Sequence, residues 1–347
     1  MEELASNLLD VIKDYRNHDG IQLDTQHIID WVNQFGEDAE FMLEEINHII
    51  PQVYISKEKA KSFIDEHVDA LMRELGYNNI IDFLSNTEFL DLQEPHKSQP
   101  AILDILETLL GEKYGESYLK YKTYPKVNFV YFDDILASGS TIGNHLTKWL
   151  DDTNADGIRN VDNVLKNNYK LSVNLFCMHT WGQSFQKFRL MKTFDDSLGK
   201  KINWFYNLEI QNHAKWSNQS LNIAFPVEEQ PSNVKQYLAG LEAEKYEDYA
   251  YRKANTPSVE KFFTSPENRI KYENIILQKG ILIINMIQNE IKPNIRPLGL
   301  INPNYKIFGL GTHFFTWRNI PNNSPLVFWW EVAGHNWKPL FPVANRG

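Results

Sequence analysis

The stretch NFVYFDDILASGSTIGNHL, Asn128 to Leu146, constrains the fold more than any other part of this chain. Phe129, Val130, Tyr131 and Phe132 form an apolar run without alternation, the pattern of a short strand buried on both faces. Two adjacent carboxylates, Asp133 and Asp134, follow at its carboxyl end. Small residues come next, and then a helical pattern in which Ile142, Leu146, Trp149 and Leu150 share a face. A strand buried on both faces needs cover above and below, which points to an open α/β sheet. Ligands bind such sheets outside the carboxyl ends of the strands. The two acids are therefore expected to line a ligand edge and not to support a core.

Strand and helix patterns alternate around that stretch. EFLDL, LSVNLFCMH and KINWFYNLEI read as strands. PAILDILETLLGEKYG, with Pro100 at its start, and WGQSFQKFRLMKTF read as helices. The expected fold class is α/β with a mainly parallel sheet, a helical N-terminal segment and an irregular, aromatic-rich C-terminal segment. Residues 1–85 form the helical segment; LASNLLDVIKDY places Leu4, Leu8, Leu9, Ile12 and Tyr15 on one face. Residues 86–225 form the α/β core. Residues 226–347 form a helical insertion and a closing segment that completes the core or its hood. Within them, SPENRIKYENIILQKGILIINMIQNEI is a helix capped by Ser265 with Pro266 at its first position. The apolar stripes of residues 1–85 must be covered, either by the chain's own core or by a second copy or protein partner.

The loop between strand and helix has the chemistry of an anion site. Gly139 can take a positive φ and lets backbone approach a ligand closely. Successive N–H groups in such a turn point into one concavity, and the helix N-terminus adds positive potential. Ser138, Ser140 and Thr141 add hydroxyl donors. A phosphate fits this set. The Walker pattern GxxxxGK[ST] does not occur. Carboxylates only accept hydrogen bonds, so Asp133 and Asp134 suit vicinal hydroxyls or a hydrated metal ion. Phosphate on one side and diol acceptors on the other describe a ribose 5-phosphate site.

At this point the stretch resembles the signature of type I phosphoribosyltransferases: an apolar strand, two acids, two apolar residues, then small-Thr-Gly-small-Thr. Here it reads Asp133, Asp134, Ile135, Leu136, Ala137, Ser138, Gly139, Ser140, Thr141, with Ser138 where that family mostly has threonine. The resemblance implies a magnesium-dependent glycosyltransferase acting on a pentosyl group, with phosphoribosyl pyrophosphate as donor. Asp133 and Asp134 would take the ribose hydroxyls and, directly or through water, Mg2+; Ala137 to Thr141 would hold the 5-phosphate. It also implies an upstream pyrophosphate loop, for which QEPHKSQ is the candidate, with Lys97, Ser98 and the Gln99 backbone facing the pyrophosphate and His96 assisting. The helical preface and the closing PNNSPLVFWW and WKPLFP are similar to phosphoribosyltransferase-like effectors of bacterial antiphage loci, some retron-associated. That similarity implies an antiviral defence role and a retron or defence-complex partner. A nucleotide sensor without turnover, or a structural subunit of such a complex, is the alternative.

Other features narrow the reading. A net charge of −10 with both signs dispersed is unlike a non-specific nucleic-acid binder. The single cysteine, Cys177, excludes an internal disulfide, fits a reducing cytoplasm, and its neighbours make it a buried strand thiol. The acidic, amphipathic start has no leader pattern, and the longest apolar run, GILIINMI, is too short to cross a bilayer, so a cytoplasmic location is expected. Asp152, Asn154, Asp156 and Gly157 open like an EF-hand, but the twelfth position is Asn163 and not glutamate, which favours an ordinary turn. GLGTHF at Gly309 lacks a third glycine and a following helix, so it is not read as a dinucleotide fingerprint. His145, near the helix start, is expected to face solvent, with a role in the site as the alternative. Trp317, Phe328, Trp329, Trp330 and Trp337 either wall a base pocket, with Asn322 and Asn323 reading the base edge, or pack the closing segment. The acceptor substrate, the source of base specificity and the oligomeric state are not legible.

Overall fold

The computed structural model describes residues 1–212, 220–287, 291–331 and 337–343. In chain order it begins with helices α1 (Glu2–Ile12), α2 (Thr25–Asn33) and α3 (Ala39–Val53), then the short strand β1 (Tyr54–Ile55). Helices α4 (Lys57–Leu75) and α5 (Ile80–Asn86) lead to strand β2 (Thr87–Leu90) and helix α6 (Ser98–Tyr114). Strand β3 (Asn128–Leu136), helices α7 (Ser140–Asp151) and α8 (Asn160–Leu165), strand β4 (Lys170–His179), helix α9 (Thr180–Thr193) and strand β5 (Ile202–Ile210) follow. Helices α10 (Ser232–Ala239) and α11 (Pro266–Asn285) and strand β6 (Phe315–Thr316) complete the regular elements.

The chain divides into two compact units, one made of Met1–Lys57 with Ile210–Gly347, the other of Glu58–Glu209. The boundaries fall at 57/58 and 209/210, whereas the change of periodicity in the sequence falls near 86. Tertiary packing accounts for the difference. Helix α4 belongs with the sheet, since His67 stacks on Phe132 and Phe63 lies against Phe176.

The Glu58–Glu209 unit holds a four-stranded sheet in the order β2-β3-β4-β5. β2 and β3 are parallel, Thr87 facing Asn128 and Leu90 facing Tyr131. β3 and β4 are parallel from Asn128–Lys170 to Leu136–Met178. The fold class is thus the α/β, parallel-sheet class expected. β3 does not stop at Phe132. Its pairing continues through Asp133 opposite Leu175 and Ile135 opposite Cys177. Backbone ladders are blind to side-chain charge, so a strand extends for as long as its polar side chains find partners. Phe129, Tyr131, Leu171, Val173 and Leu175 pack with Ile142, Leu146, Trp149 and Leu150 of α7 in one apolar core.

In the other unit, α1, α2 and α3 pack with α11 and the closing segment. β1 and β6 pair in parallel, Tyr54 with Phe315 and Ile55 with Thr316. Trp31 donates its indole N–H to the Val327 carbonyl at 2.9 Å and stacks on Phe328. Tyr15 donates to the Pro342 carbonyl at 3.0 Å. Leu8, Ile12, Trp31, Val32, Ile46 and Ile50 are all fully buried, so these stripes are covered by the chain itself. The 226–264 region carries one eight-residue helix, α10. Pro231 precedes it and Gly240 ends it, and the polar sequence beyond offers no apolar face to hold another turn. α11 starts as expected, with Ser265 accepting from the Asn268 N–H at 3.1 Å. It ends at Asn285; residues 288–290 of the same stretch lie outside the described residues. No described helix is long and apolar enough to cross a membrane.

Four buried charges brace this unit. Arg252 pairs with Glu273 at 2.9 Å, and Arg269 pairs with both Glu273 and Glu260. Arg269, wholly buried, also donates to the Leu221 and Ile223 carbonyls. Removing one member leaves a partner charge buried and uncompensated. Arg269→Met is therefore expected to destabilise the protein by ~3–5 kcal/mol in urea unfolding.

His313 shows the second kind of buried polar group. Its Nδ1 lies 2.9 Å from the Gly311 carbonyl, which can only accept, so Nδ1 carries the proton and Nε2 accepts from the Tyr272 hydroxyl at 2.8 Å. Burial holds His313 and His67 neutral, each pushed down to about 4. The folded pKa lies below the unfolded value, so the unfolded chain binds more protons between about 6.5 and 4, and stability is lost as pH falls through that window. Each histidine contributes up to ~1.4 kcal/mol per pH unit there. Unfolding midpoints at pH 7 and pH 5 should show the lower stability at pH 5.

Candidate functional site

The carboxyl ends of β2 and β3 lie on one edge of the sheet, so the loops that follow them are neighbours. The loop after β3 has the geometry its residues require. Gly139 is the residue before α7, in the left-handed region with φ 76°. No side chain caps the N-terminus of α7 and no acid lies in its first turn. Its first N–H groups therefore face outward with positive potential. Ser138, Ser140 and Thr141 are exposed around that end, and the Ser138 and Ser140 hydroxyls are 3.5 Å apart.

The back of this loop is formed by α9. A Cβ on Gly182 would stand 2.0 Å from the Ala137 carbonyl oxygen, so only glycine lets the helix approach. One turn on, Gln186 is fully buried and donates to the Ser138 carbonyl at 3.2 Å. Its side chain fills the space beside Gly139 and Gly143, where added Cβ atoms would lie 2.5 Å and 1.9 Å from it. The Gln186 Oε1 has no hydrogen-bond partner among the described residues. Three glycines and one glutamine thus lock the loop onto α9.

Asp133 is 4 % exposed and accepts four hydrogen bonds. Ser98 Oγ donates to Oδ1 at 2.6 Å, and the Asp134 N–H to the same oxygen at 2.9 Å. Gln93 Nε2 donates to Oδ2 at 2.7 Å, and the Tyr131 hydroxyl donates to the same oxygen at 3.2 Å. Burial raises its pKa, and the Ser98, Asp134 and Gln93 donors oppose that rise. Asp133 therefore supports the local structure, contrary to the expectation from its position alone. Asp134 is half-buried.

The loop after β2 closes on the same carboxylate. Gln99, fully buried, accepts from the Leu92 and Gln93 N–H groups at 2.7 and 3.1 Å and donates to the Phe132 carbonyl at 3.0 Å. Ser98, expected to face a pyrophosphate, instead has its hydroxyl on Asp133. Lys97 and His96 are exposed, with His96 beside Glu94 at 3.4 Å. The two loops assigned from sequence are thus brought together and tied to each other.

His145 is drawn into this group and does not simply face solvent. Its Nδ1 lies 3.0 Å from the Tyr131 hydroxyl, and burial, followed by nearby Lys148, lowers its pKa. No spacing in the sequence marks it, because the contact joins a helix to a strand. Cys177 is buried in β4 as expected, its thiol pushed up by burial and then by Asp134. The start of the 152–163 stretch is a turn that leads into α8: Asn154 Oδ1 accepts from the Asp156 and Ile158 N–H groups, both at 3.0 Å. The base-pocket candidates Asn322, Asn323 and Trp329 lie in the other unit. Trp329 is buried with its indole N–H on the Ser324 carbonyl at 2.8 Å, and Asn323 donates to the Leu300 carbonyl at 2.7 Å. The packing alternative describes this segment.

A parallel α/β sheet with an acid pair and a glycine-turned loop at the end of one strand defines a phosphoribosyltransferase-like protein. A family model described as PRTase-CE matches residues 28–343, and the chain belongs to that family. Searches of curated proteins and of solved structures returned no match.

The α9 interlock yields a contrast between two glycines. Gly182→Ala must push α9 off a backbone carbonyl and is expected to cost ~1–3 kcal/mol in urea unfolding. Gly111→Ala, inside α6 with nothing within 4 Å, is expected to be neutral or to stabilise by ~0.5–1 kcal/mol.

Proposed function

We propose that the protein binds phosphoribosyl pyrophosphate, or a closely related ribose 5-phosphate compound, with Mg2+, and transfers the phosphoribosyl group to an acceptor. The observation that carries this reading is the convergence of two loops, one a helix-opening glycine turn with three exposed hydroxyls, on an acid pair at one sheet edge. The outward N–H groups of α7 and Ser138, Ser140 and Thr141 hold the 5-phosphate. Asp134 accepts from a ribose hydroxyl. Asp133 accepts the neighbouring hydroxyl by exchanging it for the Ser98 donor, whose oxygen then turns to the pyrophosphate side with Lys97.

The donor set suits magnesium held largely by water and ligand phosphates. No group of three or more metal-binding side chains occurs among the described residues, so Asp133 and Asp134 would hold the hydrated ion directly or through water, with the ligand phosphates completing its shell. When bound, Mg2+ supplies charge neutralisation for the departing pyrophosphate. The acid pair lies where it can face the cationic sugar of the transition state. A role as an antiphage effector extends this reading and rests on the sequence resemblance alone.

Calorimetry with phosphoribosyl pyrophosphate, ribose 5-phosphate and ribose, each with and without Mg2+, tests it. Binding should need the phosphate. Gly139→Asp, whose side chain is strained at a φ of 76° and meets Gln186 behind the loop, should distort the turn and abolish it. If no ribose 5-phosphate compound binds the wild-type chain, the reading is wrong. Plating efficiency of phage on cells with and without the gene tests the defence role separately.

A further inference from the structure

We propose that Gln93 is a positioning residue for the acid pair: through Asp133 and Tyr131 it fixes the spacing between the loop after β2 and the loop after β3, so that the two loops bind their ligands as one. The inference rests on the phosphoribosyl reading above and adds a residue that no motif in the sequence marks.

Three observations carry it. First, the Gln93 amide nitrogen reaches both Asp133 Oδ2 at 2.7 Å and the Tyr131 oxygen at 2.8 Å. An amide has two N–H donors, so both are engaged on one strand. Second, Gln93 is itself held. Its N–H donates to Gln99 Oε1 at 3.1 Å, and its Oε1 accepts from the Gln99 N–H at 3.4 Å. Gln99 in turn is anchored to the Phe132 carbonyl. The two glutamines form a closed brace between the second loop and β3. Third, the remaining polar side chains of that loop, Asp91, Glu94, His96 and Lys97, are exposed. Solvation explains those four; it does not explain a glutamine aimed at a buried carboxylate.

The consequence is mechanical. Asp133 sits six residues before Gly139 on the same strand-loop segment, and its carboxylate is the joint on which Gln93 and Ser98 bear. Without Gln93, Asp133 loses a donor on Oδ2 and the second loop keeps only Ser98 on that carboxylate. A ligand ordering one loop then no longer orders the other, and the coupling between the two half-sites disappears.

Gln93→Leu keeps the bulk and removes the donors; Ser98→Ala, a smaller change on the same carboxylate, serves if Gln93→Leu does not fold. Amide hydrogen exchange on the ligand-free, full-length protein is the first measurement. Exchange should rise both in 92–97 and in 137–141, with β4 unchanged. A rise confined to 92–97 overturns the proposal. The second measurement is calorimetry of ribose 5-phosphate with Mg2+, with and without inorganic pyrophosphate. Pyrophosphate should tighten ribose 5-phosphate binding to the wild type by about tenfold and to Gln93→Leu by less than about twofold. Equal enhancement in both proteins also overturns it. If the wild type binds neither ligand, the phosphoribosyl reading fails, and the exchange measurement alone decides whether Gln93 couples the two loops.

Discussion

A carboxylate at 4 % exposure inside a parallel sheet is tolerated only when donors surround it. Asp133 meets that condition with a hydroxyl from Ser98, an amide from Gln93, the phenol of Tyr131 and the next backbone N–H. Much else at this edge follows from that requirement. The segment after β2 must fold back over the end of β3 to deliver two of the donors. Gln99 must enter the interior to hold that segment there. With the Tyr131 proton on Asp133, its oxygen is left to accept, which suits Nδ1–H of His145. One buried charge thereby organises a strand, a loop and two helices.

Local pattern made the central part of this arrangement legible. Phe129 to Phe132, the acids and the small residues announce strand, acid pair and glycine turn within one short stretch, and each is decided by neighbours in sequence. The strand was longer than its apolar run, because the ladder to β4 is indifferent to the acids that ride on it. The glutamines were not legible. Gln93, Gln99 and Gln186 are ordinary loop and helix residues by composition, and their roles arise only when β3 is brought against them. His145 was misplaced for the same reason. The division of the chain was equally hidden. Helix α4 continues the periodicity of α1 to α3 without a break in composition, and only its packing against Phe132 and Phe176 assigns it to the sheet.

The two units solve the burial of charge differently. At the end of β3 the Asp133 carboxylate is met by four neutral donors, each of which another hydrogen-bond donor could replace. In the other unit Arg252, Arg269, Glu260 and Glu273 neutralise one another, and Arg269 also donates to the Leu221 and Ile223 carbonyls. That arrangement has little slack, since any one charge removed strands another. The first suits a site that must respond to a ligand, the second a scaffold that must stay put.

The parallel pairing of Tyr54–Ile55 with Phe315–Thr316 has a consequence for biosynthesis. The Glu58–Glu209 unit is continuous in sequence, so all of its contacts are available once the ribosome has passed its last strand. The unit that contains α1 to α3 is not. Trp31 and Tyr15 wait for partners at Val327 and Pro342, which are made 296 and 327 residues later. During synthesis the first three helices therefore lack the closing segment's part of their cover while strands β2 to β5 are already made. Helices α1 to α3 therefore need chaperone protection for longer than the sheet, although they are made before it.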